Sequence, residues 1–202
     1  MKIIKHRVNT IDQLIATPSY FGVEIDIRTL GSDLIIHHDP FEKGVRFSDW
    51  LEHYKHDFLI LNVKEDGLEH SIFSLIKEYN IDNFFYLDQS FPSLYKLSKT
   101  VPQFCAARVS DIESVENAIK LQSGWVWLDS HTGDWDYLLN AMNHFSNTEI
   151  KTCLVSPELQ RDNYKKELLL LRNLISNFSI NFEAVCTKYP NMWIDPIKEK
   201  ID

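Results

Sequence analysis

Two acidic residues and a histidine lie close together in one short stretch of the chain, residues 22–40, with the sequence GVEIDIRTLGSDLIIHHDP. Glu24 and Asp26 alternate there with apolar residues, so an extended strand would place both carboxylates on one face. At a spacing of about 6–7 Å the two charges repel each other, and a divalent cation held by oxygen ligands would remove that repulsion. Turn residues then return the chain and bring His38 close to the same end. Carboxylates, a cation and an imidazole together suit phosphate chemistry, and we interpret this stretch as the active centre.

Strands alternate with helices along the rest of the chain. The predicted strands cover residues 1–6, 22–28, 58–63, 84–87, 105–109, 125–128, 152–155 and 184–187. The predicted helices cover residues 11–17, 49–55, 69–79, 92–99, 111–121, 135–145 and 163–178. Ser48 and Asp111 are expected to cap the second and fifth of these helices.

This alternation predicts an α/β protein with a parallel sheet, either a (β/α)₈ TIM barrel or an open doubly wound sheet. We favour the barrel because no glycine-rich nucleotide-binding fingerprint follows the first strand, and because polar residues gather where the strands end. Those residues are His6, Asp26, Asn62, Asp88, Asp129 and Thr187. We expect one small TIM-barrel domain over residues 1–202, with a β-hairpin arm after strand two and short helices, since 202 residues are few for this fold.

Composition excludes some partners. The net charge is −8 with scattered lysines and arginines, which argues against a nucleic-acid groove or an anionic membrane surface and favours a small-molecule substrate. No apolar run approaches the roughly 20 residues of a membrane span, and the first residues lack the apolar core of a signal peptide, so a cytoplasmic location is expected. The three cysteines, Cys105, Cys153 and Cys186, lie far apart in apolar runs and are expected to be reduced core residues.

Short motifs follow one another along the whole chain: His6-Arg7, Glu24-x-Asp26, His38-Asp39, Asn62-x-Lys64, Ser90-Phe91 and Thr187-Lys188-Tyr189-Pro190. In this order they resemble the motifs of the glycerophosphodiester phosphodiesterases, within the larger group of phosphatidylinositol phospholipase C-like barrels. Each motif alone is weak evidence, but the series is specific.

The resemblance implies a metal-dependent phosphoric diester hydrolase that acts on a small-molecule phosphodiester. By position it implies acid–base catalysis by His6 and His38, binding of magnesium or calcium by Glu24, Asp26 and Asn62, and phosphate or substrate contacts by Lys64 and Arg7. Imidazoles with a pKa near 6.5 can give and take protons at neutral pH, and a cation with a lysine can stabilise phosphoryl oxygens. His37, on the opposite face of an extended arm from His38, is expected to support the hairpin.

The sequence departs from the family pattern at three positions. Val8 replaces a glycine, Asn62 replaces the third acid of the metal site, and Lys188 replaces an aspartate. An amide oxygen brings no charge, so a cation would bind more weakly unless Asp88 or Asp129 became the third ligand. A cyclising phosphodiester lyase and a catalytically degenerate binding protein therefore stay open as alternatives.

Overall fold

The computed structural model describes residues 1–194. Over this range the strands are β1 Lys2–Lys5, β2 Gly22–Leu30, β3 Asp33–Ile36, β4 Val45–Arg46, β5 Leu59–Val63, β6 Phe84–Leu87, β7 Ala106–Val109, β8 Trp125–Leu128, β9 Lys151–Val155 and β10 Ala184–Thr187. The helices are α1 Ile11–Ala16, α2 Phe47–Leu51, α3 Glu69–Glu78, α4 Phe91–Ser98, α5 Val115–Leu121, α6 Tyr137–Phe145, α7 Lys165–Asn177 and α8 Asn191–Ile194. Within residues 1–194, no helix has both the length and the apolar composition needed to cross a membrane.

Eight of the strands form the predicted TIM barrel. Hydrogen-bonded neighbours run in parallel in the order β6, β5, β2, β1, β10, β9, β8 and β7. One parallel bridge, between Tyr86 of β6 and Cys105 just before β7, joins the two ends of this order. The crossovers are short, as the small chain size requires, and α2 has only 5 residues.

The predicted hairpin arm extends from β2. This strand continues to Leu30, past the ring, and pairs antiparallel with β3, which in turn pairs with β4. Gly31 lies in the turn with a φ of +64°, a conformation that glycine adopts without the steric cost of a side chain. The arm therefore begins at the end of the strand that carries Glu24 and Asp26.

Inward and outward side chains form separate cores. The outward residues of the strands pack under the helices, whereas the inward residues fill the lower part of the barrel. Three inward aromatic rings meet there, with Trp125 4.9 Å from Phe85 and 5.1 Å from Phe58 between ring centroids. Because large rings occupy the bottom, inward polar side chains are confined to the carboxyl ends of the strands, where TIM-barrel sites lie.

Two predicted helix caps are wrong. The second helix begins at Phe47, so Ser48 lies inside its first turn, where its hydroxyl donates to the Asp49 carboxylate. The fifth helix begins at Val115, and Asp111 instead accepts backbone N–H groups from the loop after β8. Both residues are good capping types, but Ser48 bonds to a neighbour within its own helix and Asp111 bonds to a loop.

We expect Gly124→Ala to lower the free energy of unfolding by about 2–3 kcal/mol, since overpacking of this kind typically has that cost. An added Cβ at Gly124 would lie 2.6 Å from backbone atoms of Gln103, which cannot move as a flexible side chain would. Gly31→Ala is the control, because its Cβ meets nothing within 4 Å and its positive φ alone should cost about 1 kcal/mol. Urea denaturation measures both, and an equal loss in the two variants would contradict the steric argument.

Candidate active site

Strands β2 and β5 bring four polar side chains together inside the barrel mouth. Asp26 is in register with Asn62 across the two strands. The Asn62 amide nitrogen donates to Glu24 Oε1 at 3.1 Å, and Lys64 Nζ lies 3.1 Å from Asp26 Oδ1. Glu24, Asp26 and Asn62 are all buried. The predicted common face of Glu24 and Asp26 is therefore confirmed, and Asn62 and Lys64 of β5 lie on the same side.

The end of β1 completes this group. Arg7 has a φ of +55°, a left-handed conformation that costs a non-glycine residue roughly 1–2 kcal/mol. In this conformation its backbone N–H donates to Glu24 Oε2 at 2.7 Å, and its Nε lies 3.5 Å from Asp26 Oδ2. His6 Nε2 is 3.7 Å from the same Glu24 oxygen. The hydrogen bond to the buried Glu24 carboxylate thus offsets the backbone strain at Arg7. The family that the motifs resemble has its glycine at the next position, where this chain has Val8.

Cationic side chains lie beside the two acids and reduce the repulsion between them. Lys64 and Arg7 both lie beside Asp26. Arg28, two residues after Asp26, is directed elsewhere, with its Nε donating to the His38 carbonyl oxygen at 2.9 Å. The alternation of side chains along a strand gives the face of each residue. It does not show that a long side chain from a neighbouring strand reaches Asp26.

Burial shifts the pKa values of Glu24 and His6, whose side chains lie 3.7 Å apart. Burial, together with the negative charge of Asp26, raises the pKa of Glu24 to about 8. Burial, followed by the positive charge of Arg7, lowers the pKa of His6 to about 4. The His6 imidazole is therefore neutral at physiological pH and has a lone pair that can accept a proton.

The oxygen atoms of this group fit a divalent cation. Asp26 Oδ1 and Asn62 Oδ1 are buried and accept no hydrogen bond, since the nearby Lys64 ammonium lacks the direction for one. Together with Glu24 they provide the oxygen ligands that magnesium and calcium prefer. Among residues 1–194 no three acidic, histidine or cysteine side chains are grouped to hold a metal ion, so a cation here would need the Asn62 amide oxygen.

Asp88 and Asp129, the two acids considered as alternative third ligands of the cation, both pair with Arg108. Arg108, an inward residue of β7, lies 2.7 Å from Asp88 and 2.9 Å from Asp129 through its two terminal nitrogens. Asp129 also accepts from the Gln160 amide at 2.6 Å. Asp88 is 3.8 Å from Lys64, which links this network to the first group. Both acids are therefore parts of a charge network across the mouth, and neither contacts Glu24 or Asp26 among the described residues.

The two arm histidines have different partners. His38 Nδ1 lies 2.8 Å from the Asp39 carboxylate, and its side chain is 41% exposed, against 13% for His6. The His37 N–H donates to the Asp26 carbonyl oxygen at 3.0 Å, and the His37 ring accepts the Asp39 N–H at 3.1 Å. His37 thus supports the arm, as predicted. His38 borders a cavity of about 490 Å³ that is also lined by Arg7, but no contact within residues 1–194 joins it to Glu24, Asp26 or Lys64.

Asn9 is a site residue that the sequence pattern did not reveal. Its amide nitrogen donates to Asp26 Oδ2 at 2.8 Å, and its amide oxygen accepts the Asp26 N–H at 3.0 Å. The next residue, Thr10, caps α1 in a capping box with Gln13. The sequence analysis also did not assign Arg108 to the mouth. A single arginine in the otherwise apolar strand β7 could have indicated a polar position there.

The two remaining motifs have structural contacts. The Ser90 hydroxyl accepts the Ser93 N–H at 3.4 Å at the start of α4 and donates to Asp66 at 2.6 Å. Thr187 bonds through its hydroxyl to the buried Glu158 carboxylate, and Lys188 Nζ donates to the Glu158 carbonyl oxygen at 2.7 Å. These residues shape the loops around the mouth.

Comparison with known proteins gives the fold. No protein-family model and no curated protein matches the sequence. The structure is similar to a glycerophosphodiester phosphodiesterase from Parabacteroides distasonis, with a TM-score of 0.69 and 12% identity over 94% of this chain and 93% of that one. It is also similar to such enzymes from Agrobacterium tumefaciens (TM-score 0.65, 13% identity, 96% and 99% of the chains) and Thermotoga maritima (0.64, 12%, 96% and 97%). The chain therefore has the TIM-barrel fold of glycerophosphodiester phosphodiesterases, and the resemblance drawn from its motifs is confirmed for the fold.

We expect Arg108→Met to lower the free energy of unfolding by about 2 kcal/mol or more, because it leaves the buried Asp129 and the partly buried Asp88 without their shared cation. Arg46→Met is the control. Arg46 pairs with Asp33 at 3.0 Å but is 64% exposed, and such surface pairs contribute about 0–1 kcal/mol. Urea denaturation at neutral pH compares the two, and similar losses would mean that the Arg108 network adds no more than a surface ion pair.

Proposed function

We propose that the protein is a phosphoric diester hydrolase of the glycerophosphodiester phosphodiesterase type, acting on a small-molecule phosphodiester. The observation that carries this proposal is the buried group at the barrel mouth, in which Glu24, Asp26, Asn62 and Lys64 converge beside His6. The similarity of the fold to glycerophosphodiester phosphodiesterases supports it. TIM-barrel enzymes use side chains at this end of the strands for chemistry.

Lys64 and Arg7 are the proposed phosphate ligands. The Lys64 ammonium lies among the buried polar groups, and the Arg7 side chain is 47% exposed, so its guanidinium can meet a ligand that enters from solvent. A guanidinium and an ammonium are the two side-chain cations that recognise phosphate oxygens. Their charges would oppose the growing negative charge on the phosphoryl group.

His6 and His38 are the proposed acid–base pair. Hydrolysis requires that the attacking water lose a proton, that a new P–O bond form, and that the bond to the leaving alcohol break while that oxygen gains a proton. His6 is neutral at physiological pH because burial and the positive charge of Arg7 lower its pKa, so its imidazole has a lone pair that can accept the first proton. His38, whose Nδ1 lies 2.8 Å from the Asp39 carboxylate, would donate the second proton to the leaving oxygen.

Glu24, Asp26 and Asn62 would hold a divalent cation, magnesium or calcium. Their buried oxygens, two of them without hydrogen-bond donors, support this part of the proposal. When bound, such a cation neutralises charge on phosphoryl oxygens. A cytoplasmic location also stays part of the proposal, supported by three cysteines that are all free and buried, as is usual in a reducing compartment.

A binding protein without turnover is the second candidate. The observation that favours it is the compensation of Asp26 by Lys64 and Arg7, together with the neutral Asn62 in place of a third acid. In such a protein the same group would bind a phosphodiester without cleaving it. The two candidates predict the same ligand class and differ only in product formation.

A panel of glycerophosphodiesters with product analysis tests the proposal, with magnesium, with calcium and after exhaustive chelation. Release of glycerol phosphate and free alcohol that depends on the cation supports the hydrolase. A cyclic phosphate product would identify the lyase instead. Binding of the diesters without any product would favour the binding protein.

We expect His6→Ala and His38→Ala each to lower kcat by about 10²–10⁴-fold, the usual contribution of a proton-transferring group. His37→Ala is the matched neighbour and should have a milder effect, since its contacts hold the arm. Steady-state kinetics give kcat, and circular dichroism checks that each variant is folded. If His37→Ala proved more damaging than His38→Ala, the assignment of His38 as the acid would be wrong.

We expect Asn62→Asp to tighten magnesium or calcium binding by about tenfold or more, since ~1.4 kcal/mol of added attraction gives that factor. The new carboxylate would also lose the hydrogen bond to Glu24 and add a buried charge, so the variant should be less stable in the presence of chelator.

Calorimetric titration with each cation measures the affinity. Asn143→Asp, an exposed position on α6, adds the same charge as a control. Unchanged or weaker binding in the Asn62 variant would remove this residue from the metal site.

A further inference from the structure

The leaving alcohol of the proposed reaction must lie next to the group that protonates it. His38 Nδ1 lies 2.8 Å from the Asp39 carboxylate, whereas Nε2 of the same ring forms no hydrogen bond within residues 1–194. Nε2 is therefore the ring nitrogen that can donate a proton to a leaving oxygen. The cavity of about 490 Å³ that His38 borders is also lined by Arg7, the proposed phosphate ligand. A diester that contacts both residues would place its alcohol in this space.

This space, which we name the arm cavity, has lining residues from the barrel mouth and from the hairpin arm. Arg7 and Asn9 belong to the mouth, because Arg7 Nε lies 3.5 Å from Asp26 Oδ2 and the Asn9 amide donates to the same oxygen at 2.8 Å. His38 and Lys43 belong to the loop that joins β3 to β4. The arm cavity thus connects the buried acids of the mouth to the loop of the arm.

Lys43 brings to the arm cavity a positive charge that no described residue neutralises. It forms no hydrogen bond or ion pair within residues 1–194, and its side chain is exposed. The next residue, Gly44, lies so close to β3 that an added Cβ would be 2.3 Å from the Ile36 carbonyl oxygen. The backbone beside Lys43 is therefore packed against the strand, while its ammonium keeps three donors for a ligand.

Other groups around the arm cavity also favour an anion. Gln13 uses its amide oxygen to accept the Thr10 N–H at 3.2 Å, and its amide nitrogen has no partner in the described part of the chain. Asp39 is the carboxylate among the described lining residues, and it is held by His38. The guanidinium and the ammonium in the lining add two positive charges. A ligand group that accepts hydrogen bonds and carries negative charge suits this lining better than a cationic group.

We propose that the arm cavity holds the alcohol part of the diester and that Lys43 selects alcohols with an anionic group, such as a carboxylate, over neutral and cationic alcohols. Lys43 is thus a specificity-determining residue. Amino alcohols would be the poorest substrates, because their charge would be repelled by Lys43 and Arg7. This inference rests on the proposed function, and it adds a substrate class to that function.

Three glycerophosphodiesters of equal chain length test it: those of 3-hydroxypropanoate, propane-1,3-diol and 3-aminopropan-1-ol, which differ in the charge at one end. Their kcat/KM values should fall in that order by roughly fivefold at each step, the factor that a solvent-exposed ion pair can supply. Steady-state kinetics on each diester give these ratios.

Variants of the lysine make the test specific. Lys43→Gln should bring the ratio of the anionic to the neutral diester close to one, and Lys43→Glu should make the amino alcohol diester the better substrate of the two charged ones. Lys120→Gln, which removes a positive charge from the exposed side of α5, is the matched control and should keep the order of the parent protein. Ratios between substrates cancel any general effect of a variant on the arm.

Cleavage of all three diesters with equal kcat/KM, or an order that Lys43→Glu leaves unchanged, would overturn the inference and leave the hydrolase standing. If none of them is cleaved, the proposed function fails, and calorimetric titration with the same diesters tests the cavity alone. Affinities in the same order that Lys43→Glu reverses would support the arm cavity as a site for anionic alcohols. Equal or undetectable binding of the three diesters would overturn it.

Discussion

The burial of two neighbouring carboxylates is the constraint on which the barrel mouth depends. A buried charge is costly unless cations and hydrogen-bond donors surround it. Glu24 and Asp26 receive those partners from the two strands that flank β2: Arg7 and Asn9 follow β1, and Asn62 and Lys64 come from the end of β5. The left-handed backbone at Arg7 and the reciprocal bonds of Asn9 are consequences of this requirement.

The same requirement extends around the mouth. Asp26, Lys64, Asp88, Arg108 and Asp129 alternate in charge from β2 to β8, and each contacts the next at 2.7–3.8 Å. Below this chain of charges the barrel is filled by aromatic rings, which offer no polar partner. The polar groups are therefore held in one layer at the carboxyl ends of the strands. An ionic network of this kind fixes side-chain positions, which is what a reactive site needs.

Local patterns in the sequence predicted the barrel and much of its site, because alternation along one strand determines the face of each side chain. The common face of Glu24 and Asp26, the arm after β2 and the supporting role of His37 follow from that rule. The Asn9 bonds to Asp26 and the reach of Lys64 were not predictable in this way, because they join residues 17 and 38 positions apart and depend on the register between strands. The caps at Ser48 and Asp111 failed because other groups supplied their partners: Asp49 within the same helix for Ser48, and the loop after β8 for Asp111.

The position of Lys64 decides how the mouth can respond to a divalent cation. Its ammonium and a cation on Asp26 would compete for the same buried oxygen, and like charges repel at that distance. Lys64 also has a second carboxylate, Asp88, at 3.8 Å, and Arg108 holds Asp88 in place. The ammonium can therefore leave Asp26 without losing all ionic contact, and the cost of accepting a cation is smaller than the loss of one buried ion pair. In the proposed enzyme, this alternating network would allow Lys64 to balance the buried acids without a cation and to remain available for phosphate once a cation is bound.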